Sequence, residues 1–341
     1  MKQERDLKKP LMVWANEVNM IGDNIVNFLL EKNGNMALNI AFLPYCFKMW
    51  DCMESVYKNA KDRGVGVGVF PIPYFSLKNG KIDEWHNEHE LFEDSVDEED
   101  LYDFNVFFKV AKDLDFVIIH NAYDDGNNLT TVNPLFYTDR LKAMGLKIVF
   151  IPYGIPCGGV SNDTMRLTKG ALNSDYIFVN GEEERKGFIA SWKKVGVDMT
   201  SRCFAFGSPK IDALYKQFNM PFEWKRKVYK PITLMCTSIM PFASAPEKKL
   251  KLYKKKINEL LECGNMVIFR PHPLMEETIK SRCPEHLDEW EKLLDFAEEY
   301  AIVDYDHELA ESMYFSEYLI SDPSSIIEVW KETGKPYEVI E

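Results

Sequence analysis

The chain has 341 residues, 46% of them hydrophobic and 13% aromatic, which is ample for a buried core and excludes a disordered, collagenous or low-complexity protein. At about 150 residues per domain, this length suits two domains or one large one. The net charge of -13, from 41 Lys+Arg against 54 Asp+Glu, excludes a general nucleic-acid binder, because phosphate neutralisation needs a basic surface.

Met20–Glu31 spaces Ile21, Ile25, Phe28 and Leu29 on one helical face, and the same helix is expected to begin near Leu11. Ala37–Pro44 reads as a buried strand, Met49–Arg63 as a helix and Val65–Phe70 as a second strand. The acidic stretch from Phe75 to Asp103 reads as an exposed excursion. Alternation then resumes. Strands are predicted at Asp115–His120, Lys147–Pro152, Asp175–Asn180 and Arg202–Gly207, and helices at Phe136–Met144, Glu182–Val195 and Ser208–Phe218. Pro221–Pro231 reads as a linker.

A second set follows. Its strands are Ile232–Thr237, Met266–Arg270, Ala301–Val303 and Tyr318–Ser321. Its helices are Glu247–Cys263, a stretch ending near Tyr300, His307–Phe315 and Ser325–Thr333. Continuous apolar strands alternating with helices mark parallel sheets covered on both faces. The expected architecture is therefore α/β, with a domain over 1–205 and another over 206–341. The longest uncharged stretches, Asn33–Phe47, Ile148–Asn162 and Pro231–Pro246, all contain proline and fall short of the roughly 18 residues a spanning helix needs. The seven cysteines are scattered and form no CxxC, so no zinc or redox motif is indicated.

Four strand exits are candidates to carry chemistry, the last two of which, taken alone, read as ordinary turns. Arg270-Pro271-His272-Pro273 follows the strand MVIF: the guanidinium can fork onto a phosphate and the imidazole can donate to one. Ser321-Asp322-Pro323-Ser324-Ser325 lies between a strand and a helix, where hydroxyls and backbone N–H groups suit either an anion or plain capping. Gly207-Ser208-Pro209-Lys210-Ile211-Asp212 marks the junction of the halves, and Tyr153-Gly154-Ile155-Pro156 follows a first-half strand.

In this order the four motifs resemble the CDP-glycerol glycerophosphotransferase family, the teichoic-acid primases and polymerases, most specifically over Ile232–Pro336. The resemblance implies a GT-B architecture of two Rossmann-like domains facing a cleft. It also implies transfer of glycerol phosphate, or a related polyol phosphate, from a CDP-activated donor to an acceptor hydroxyl, releasing CMP. Arg270 and His272 match the family's donor-phosphate motif, and Ser321, Asp322, Ser324 and Ser325 fall on its second phosphate turn, with Pro323 in place of an aromatic. Gly207, Ser208 and Lys210 fall on the junction motif and join the phosphate-binding set. The partners implied are a nucleotide-activated donor and a polyol-phosphate or glycan acceptor, with neither cofactor nor metal. The location implied is the cytoplasm, either free or peripheral at the inner face of the cell membrane. The basic helix carrying Lys248, Lys249, Lys251, Lys254, Lys255 and Lys256 reads equally as the surface for that contact or as a solvated face.

Two departures are visible. The family's general-base histidine is replaced by Tyr153, whose ordinary pKa of about 10 makes a poor base. The expected substitute is His120, steered by Asp124, with Tyr153 a binding group. The closing helix common in GT-B folds has no length left after Pro336. The competing reading is a GT-B enzyme using a nucleotide sugar, or a non-catalytic nucleotide-binding homologue.

Overall fold

The computed structural model describes residues 20–78, 80–127, 129–155, 163–227, 231–305 and 308–341. The predicted helix start near Leu11, together with Pro156, Cys157 and the predicted helix start at His307, lies outside the described residues. The chain forms two compact units, Met1–Ala213 and Leu214–Glu341.

The first unit is built on a six-stranded parallel sheet. Its strands are β1 (Asn39–Leu43), β2 (Gly66–Val69), β5 (Phe116–Ile119), β7 (Lys147–Phe150), β8 (Tyr176–Phe178) and β9 (Cys203–Phe204), in the order β2-β1-β5-β7-β8-β9. Side chains alternate strictly between its two faces. Ala41, Leu43, Val117, Ile119, Ile148 and Phe150 enter one core, and Ile40, Phe42, Phe116, Ile118 and Val149 the other. Both faces are covered, which is why these strands read as unbroken apolar runs. Each fully buried large side chain contributes about 1.5–3 kcal/mol.

Helix α1 (Ile21–Lys32) buries Ile25, Val26 and Leu29 against this sheet, as its spacing predicts. Its Phe28 ring packs edge-on against Tyr176 and Phe178 at centroid distances of 5.1 and 5.4 Å. Helix α2 (Glu54–Asp62) lies so close to α1 that a Cβ on Gly22 would fall 2.6 Å from the Ser55 carbonyl carbon. Only glycine permits that approach.

The acidic excursion is more structured than its charge suggests. Strands β3 (Tyr74–Lys78) and β4 (Lys81–His86) form a hairpin, and β3 also pairs antiparallel with β6 (Thr130–Val132). Phe92 and Val96 drop into the core. Two acids turn inward: Glu88 accepts the Phe47 N–H and the Tyr74 hydroxyl, both at 2.7 Å, and Asp100 accepts the Tyr57 hydroxyl at 2.8 Å.

The second unit holds a five-stranded parallel sheet. Its strands are β10 (Ile232–Cys236), β11 (Met266–Arg270), β12 (Ile302–Val303), β13 (Tyr318–Ser321) and β14 (Tyr337–Val339), in the order β12-β11-β10-β13-β14. Helices α4 (Pro246–Glu262) and α6 (Leu287–Tyr300) cover one face through Tyr253, Ile257, Trp290 and Leu293. Between them runs α5 (Met275–Arg282), while α3 (Glu182–Lys194) belongs to the first unit. The edge strand β14 is an element the sequence reading lacks. Behind it, Lys335 donates to the Met313 and Ser316 carbonyls at 2.8 and 2.7 Å, so the Thr-Gly-Lys-Pro run serves packing.

Candidate functional site

In the second unit, β10, β11 and β13 end in register, so Cys236, Arg270 and Ser321 lie side by side at the carboxyl edge. Ligands of open parallel sheets bind outside this edge. Three loops leave it together: Thr237–Ser238, Pro271–Leu274 and Asp322–Ser325. They are tied to one another, since the Thr237 hydroxyl accepts the His272 N–H at 3.0 Å and the Asp322 carboxylate accepts the Ser238 N–H at 2.9 Å.

Arg270 extends from the β11 end and is held by Asp304, 2.5 Å from its guanidinium. Asp304 is fully buried and also accepts the Ser312 hydroxyl. That brace fixes the guanidinium's direction and removes part of its charge. His272 accepts the Leu274 N–H at Nδ1, at 3.1 Å, which places the neutral ring's proton on Nε2. The ring is thus set as a donor, the polarity a phosphate oxygen requires. Ser324 and Ser325 are half-buried, and Ser324 shares a 3.2 Å hydroxyl contact with Ser321, which is fully buried.

Asp322 departs from the sequence expectation. It is completely buried and accepts from Lys249 at 2.7 Å, from the Tyr253 hydroxyl and from the Ser238 N–H. All of these bonds point into the protein. Asp322 therefore braces the Asp322–Ser325 turn from inside and is not set to face a ligand.

The carboxyl edge of the first sheet gathers a second group. Tyr45, His120 and Tyr153 follow β1, β5 and β7. The His120 and Tyr45 rings stack at 5.0 Å, and Tyr153 meets His120 edge-on at 6.1 Å. His120 is 1% exposed, and its Nε2 accepts the Tyr45 N–H at 3.2 Å. Burial, with the nearby Lys210 charge, holds its pKa down to about 3. The lone pair is engaged and the proton sits on Nδ1, so the geometry argues against His120 as a proton acceptor. Tyr153 is pushed up to about 12, chiefly by burial and then by Tyr123.

Asp124 does not steer His120. Its backbone is left-handed, with φ 49, and its carboxylate accepts the Thr138 hydroxyl at 2.6 Å and the Thr138 N–H at 3.2 Å. It caps the following helix, and burial raises its pKa. Lys210 pairs with Asp51 at 3.0 Å. Gly207 adopts φ 106 against Ile21, and Ser208 donates its N–H to Asn180 at 3.1 Å. The junction motif has a structural use as well, because Asp212 accepts the N–H groups of Ile21 and Gly22 at 2.9 and 2.8 Å and the Ser55 hydroxyl at 2.7 Å. It thereby caps α1 from the far end of the unit.

Glu184, which the sequence reading passed over, lines a narrow pocket with Gly154, Asn180 and Ser208. One carboxylate oxygen accepts the Asn180 N–H at 2.8 Å; the other is buried without a hydrogen-bond partner, as is the Ser208 hydroxyl. Burial pushes this carboxyl up to about 7. An acid in the first turn after Asn-Gly was the available signal.

The basic helix also differs from expectation. Lys249 is buried on Asp322, and Lys251, Lys255 and Lys256 pair with Glu247, Glu259 and Glu338 at 2.5, 3.5 and 2.8 Å. Among the described residues no helix is long and apolar enough to cross a membrane.

No family model and no curated protein matches the chain. Solved structures do. A Listeria monocytogenes protein described as a UDP-N-acetylglucosamine 2-epimerase superposes with TM-score 0.58 at 11% identity, over 90% of this chain and 80% of that one. The Methanocaldococcus jannaschii UDP-GlcNAc 2-epimerase, solved with UDP-GlcNAc and UDP, gives 0.54 at 12%, over 89% and 83%. The fold is that of the GT-B proteins, with two Rossmann-like domains. A structure of the wall teichoic acid polymerase TagF gives 0.49 at 13%, over 96% and 75%. Identities this low establish the fold and leave the reaction to the site.

Proposed function

We propose that this protein is a nucleotide-dependent transferase that moves glycerol phosphate, or a related polyol phosphate, from a CDP-activated donor to an acceptor hydroxyl in cell-surface polymer synthesis. The observation that carries this reading is the convergence of the Arg270–Pro273 and Ser321–Ser325 loops on one sheet edge, with His272 set to donate. The acceptor oxygen forms a bond to the phosphorus that bears the polyol, the bond from that phosphorus to CMP breaks, and CMP leaves with the electron pair. His272, Arg270 and the Ser324 and Ser325 hydroxyls would neutralise charge growing on the leaving phosphate. The acceptor's proton passes to a base or to water. Such donors place the reaction in the cytoplasm.

A second reading, with a nucleotide sugar as donor, is favoured by Tyr153, since the position where the resembling family keeps its base holds a phenol pushed up to about 12. A thermal-shift panel of CDP-glycerol, CDP-ribitol, UDP-sugars, CMP and UMP separates the two. A ligand bound only by the folded state raises the midpoint by mass action. Cytidine compounds are expected to act most strongly. Preference for UDP-sugars supports the second reading, and donor binding with no CMP release even when an acceptor is supplied identifies a non-catalytic homologue.

A further inference from the structure

We infer that Lys249 and Tyr253 are positioning residues for the nucleotide phosphates: they neutralise and lock Asp322, so that the Thr237–Ser238 and Asp322–Ser325 turns meet an anion without a bare carboxylate behind them. This rests on the nucleotide reading above.

Lys249 and Tyr253 stand one turn apart on α4 and share its inner face. The Lys249 side chain is 5% exposed and that of Asp322 is 0% exposed. An ammonium drawn from a solvated basic helix into the interior loses its hydration, and an apolar pair of the same shape would serve folding as well or better. The arrangement has a different product. One Asp322 oxygen receives Lys249, which also donates to the Ile340 carbonyl at 3.1 Å; the other receives Tyr253 and the Ser238 N–H. A single carboxylate thus clamps the exits of β10 and β13, the two strands whose loops form the phosphate edge. Its charge would oppose the same anion the loops are shaped to hold, and Lys249 cancels it.

The groups facing Asp322 are Lys249 and Tyr253 from α4, the Ser238 N–H, and the Cys236 thiol at the end of β10. The Arg270–Asp304 pair acts on that thiol from the β11 side. Removing Lys249 therefore leaves one negative charge uncompensated, and replacing Asp322 by its neutral amide removes that charge while keeping an acceptor for the Ser238 N–H.

The test is calorimetric titration of the full chain with CDP and with UDP, each variant compared with wild type under the same conditions. Lys249→Met is expected to weaken binding at least tenfold. Lys249→Arg and the double variant Lys249→Met/Asp322→Asn should stay within threefold of wild type, and Tyr253→Phe should lose severalfold. A folded Lys249→Met that binds like wild type, or that is weak with no recovery in the double variant, overturns the inference. Should Lys249→Met not fold, the double variant decides: near-wild-type binding supports the inference and weak binding overturns it. A wild-type chain that binds neither nucleotide overturns the nucleotide reading itself.

Discussion

At the scale of single residues, His272 is where geometry and chemistry agree most closely. Its backbone is tied to Thr237 and its Nδ1 to Leu274, so the ring presents a donor with little freedom left to lose. Hydrogen bonds to charged groups are worth about 1.5–3 kcal/mol. His272→Ala should therefore raise the dissociation constant of a cytidine diphosphate donor roughly 10- to 150-fold, measured by calorimetry on the folded variant. Unaltered affinity would remove His272 from the site. Arg270 is a different case, because its removal strands the buried Asp304. Arg270→Ala should cost about 3–5 kcal/mol of stability in addition to affinity, measurable by urea denaturation. Glu184 supplies a pH test. A carboxyl raised from 4.5 to about 7 on folding holds its proton more tightly in the native state, so its contribution to stability falls as pH climbs through that window. Glu184→Gln escapes this loss. Its midpoint relative to wild type should be higher at pH 8 than at pH 5, by the equivalent of roughly 2 kcal/mol. An identical difference at both pH values would contradict the assignment.

At the scale of elements, the long-range cap on α1 explains a residue that sequence logic placed in a ligand motif. Asp212 satisfies two N–H groups that a helix start otherwise leaves orphaned, and it does so beside Gly22, where α1 and α2 touch. Asp212→Ala should cost about 2 kcal/mol, and hydrogen exchange should show the loss concentrated in the α1 amides. Exchange that rises evenly across the chain would count against the cap. These cases show what the sequence made legible. Apolar runs revealed the buried parallel strands because both faces of each sheet are covered, and the strand exits followed from them. Contacts between distant segments left no such trace. Lys249 and Asp322 look like a basic helix residue and a turn acid until the fold brings them within 2.7 Å. His120 looks like a base until the Tyr45 N–H takes its lone pair. Glu88 and Asp100 look like members of a solvated acidic run, and β14 is too short and too polar to show a period.

At the scale of the molecule, two Rossmann-like units each bring a polar edge to the carboxyl end of a parallel sheet. The second unit's edge is basic and rich in hydroxyls, as a nucleotide phosphate requires. The first unit's edge is aromatic, with an engaged histidine and an acid poised near neutrality, a different partner chemistry. The account stands on the claim that the second edge binds a nucleotide diphosphate. Its most direct test is titration of CDP-glycerol into wild type and His272→Ala by calorimetry, with CMP release followed in the same samples. The account predicts saturable one-to-one binding by wild type, weakened roughly 10- to 150-fold in the variant, with CMP released only when an acceptor is present. Absence of binding, or equal binding by both proteins, would contradict it.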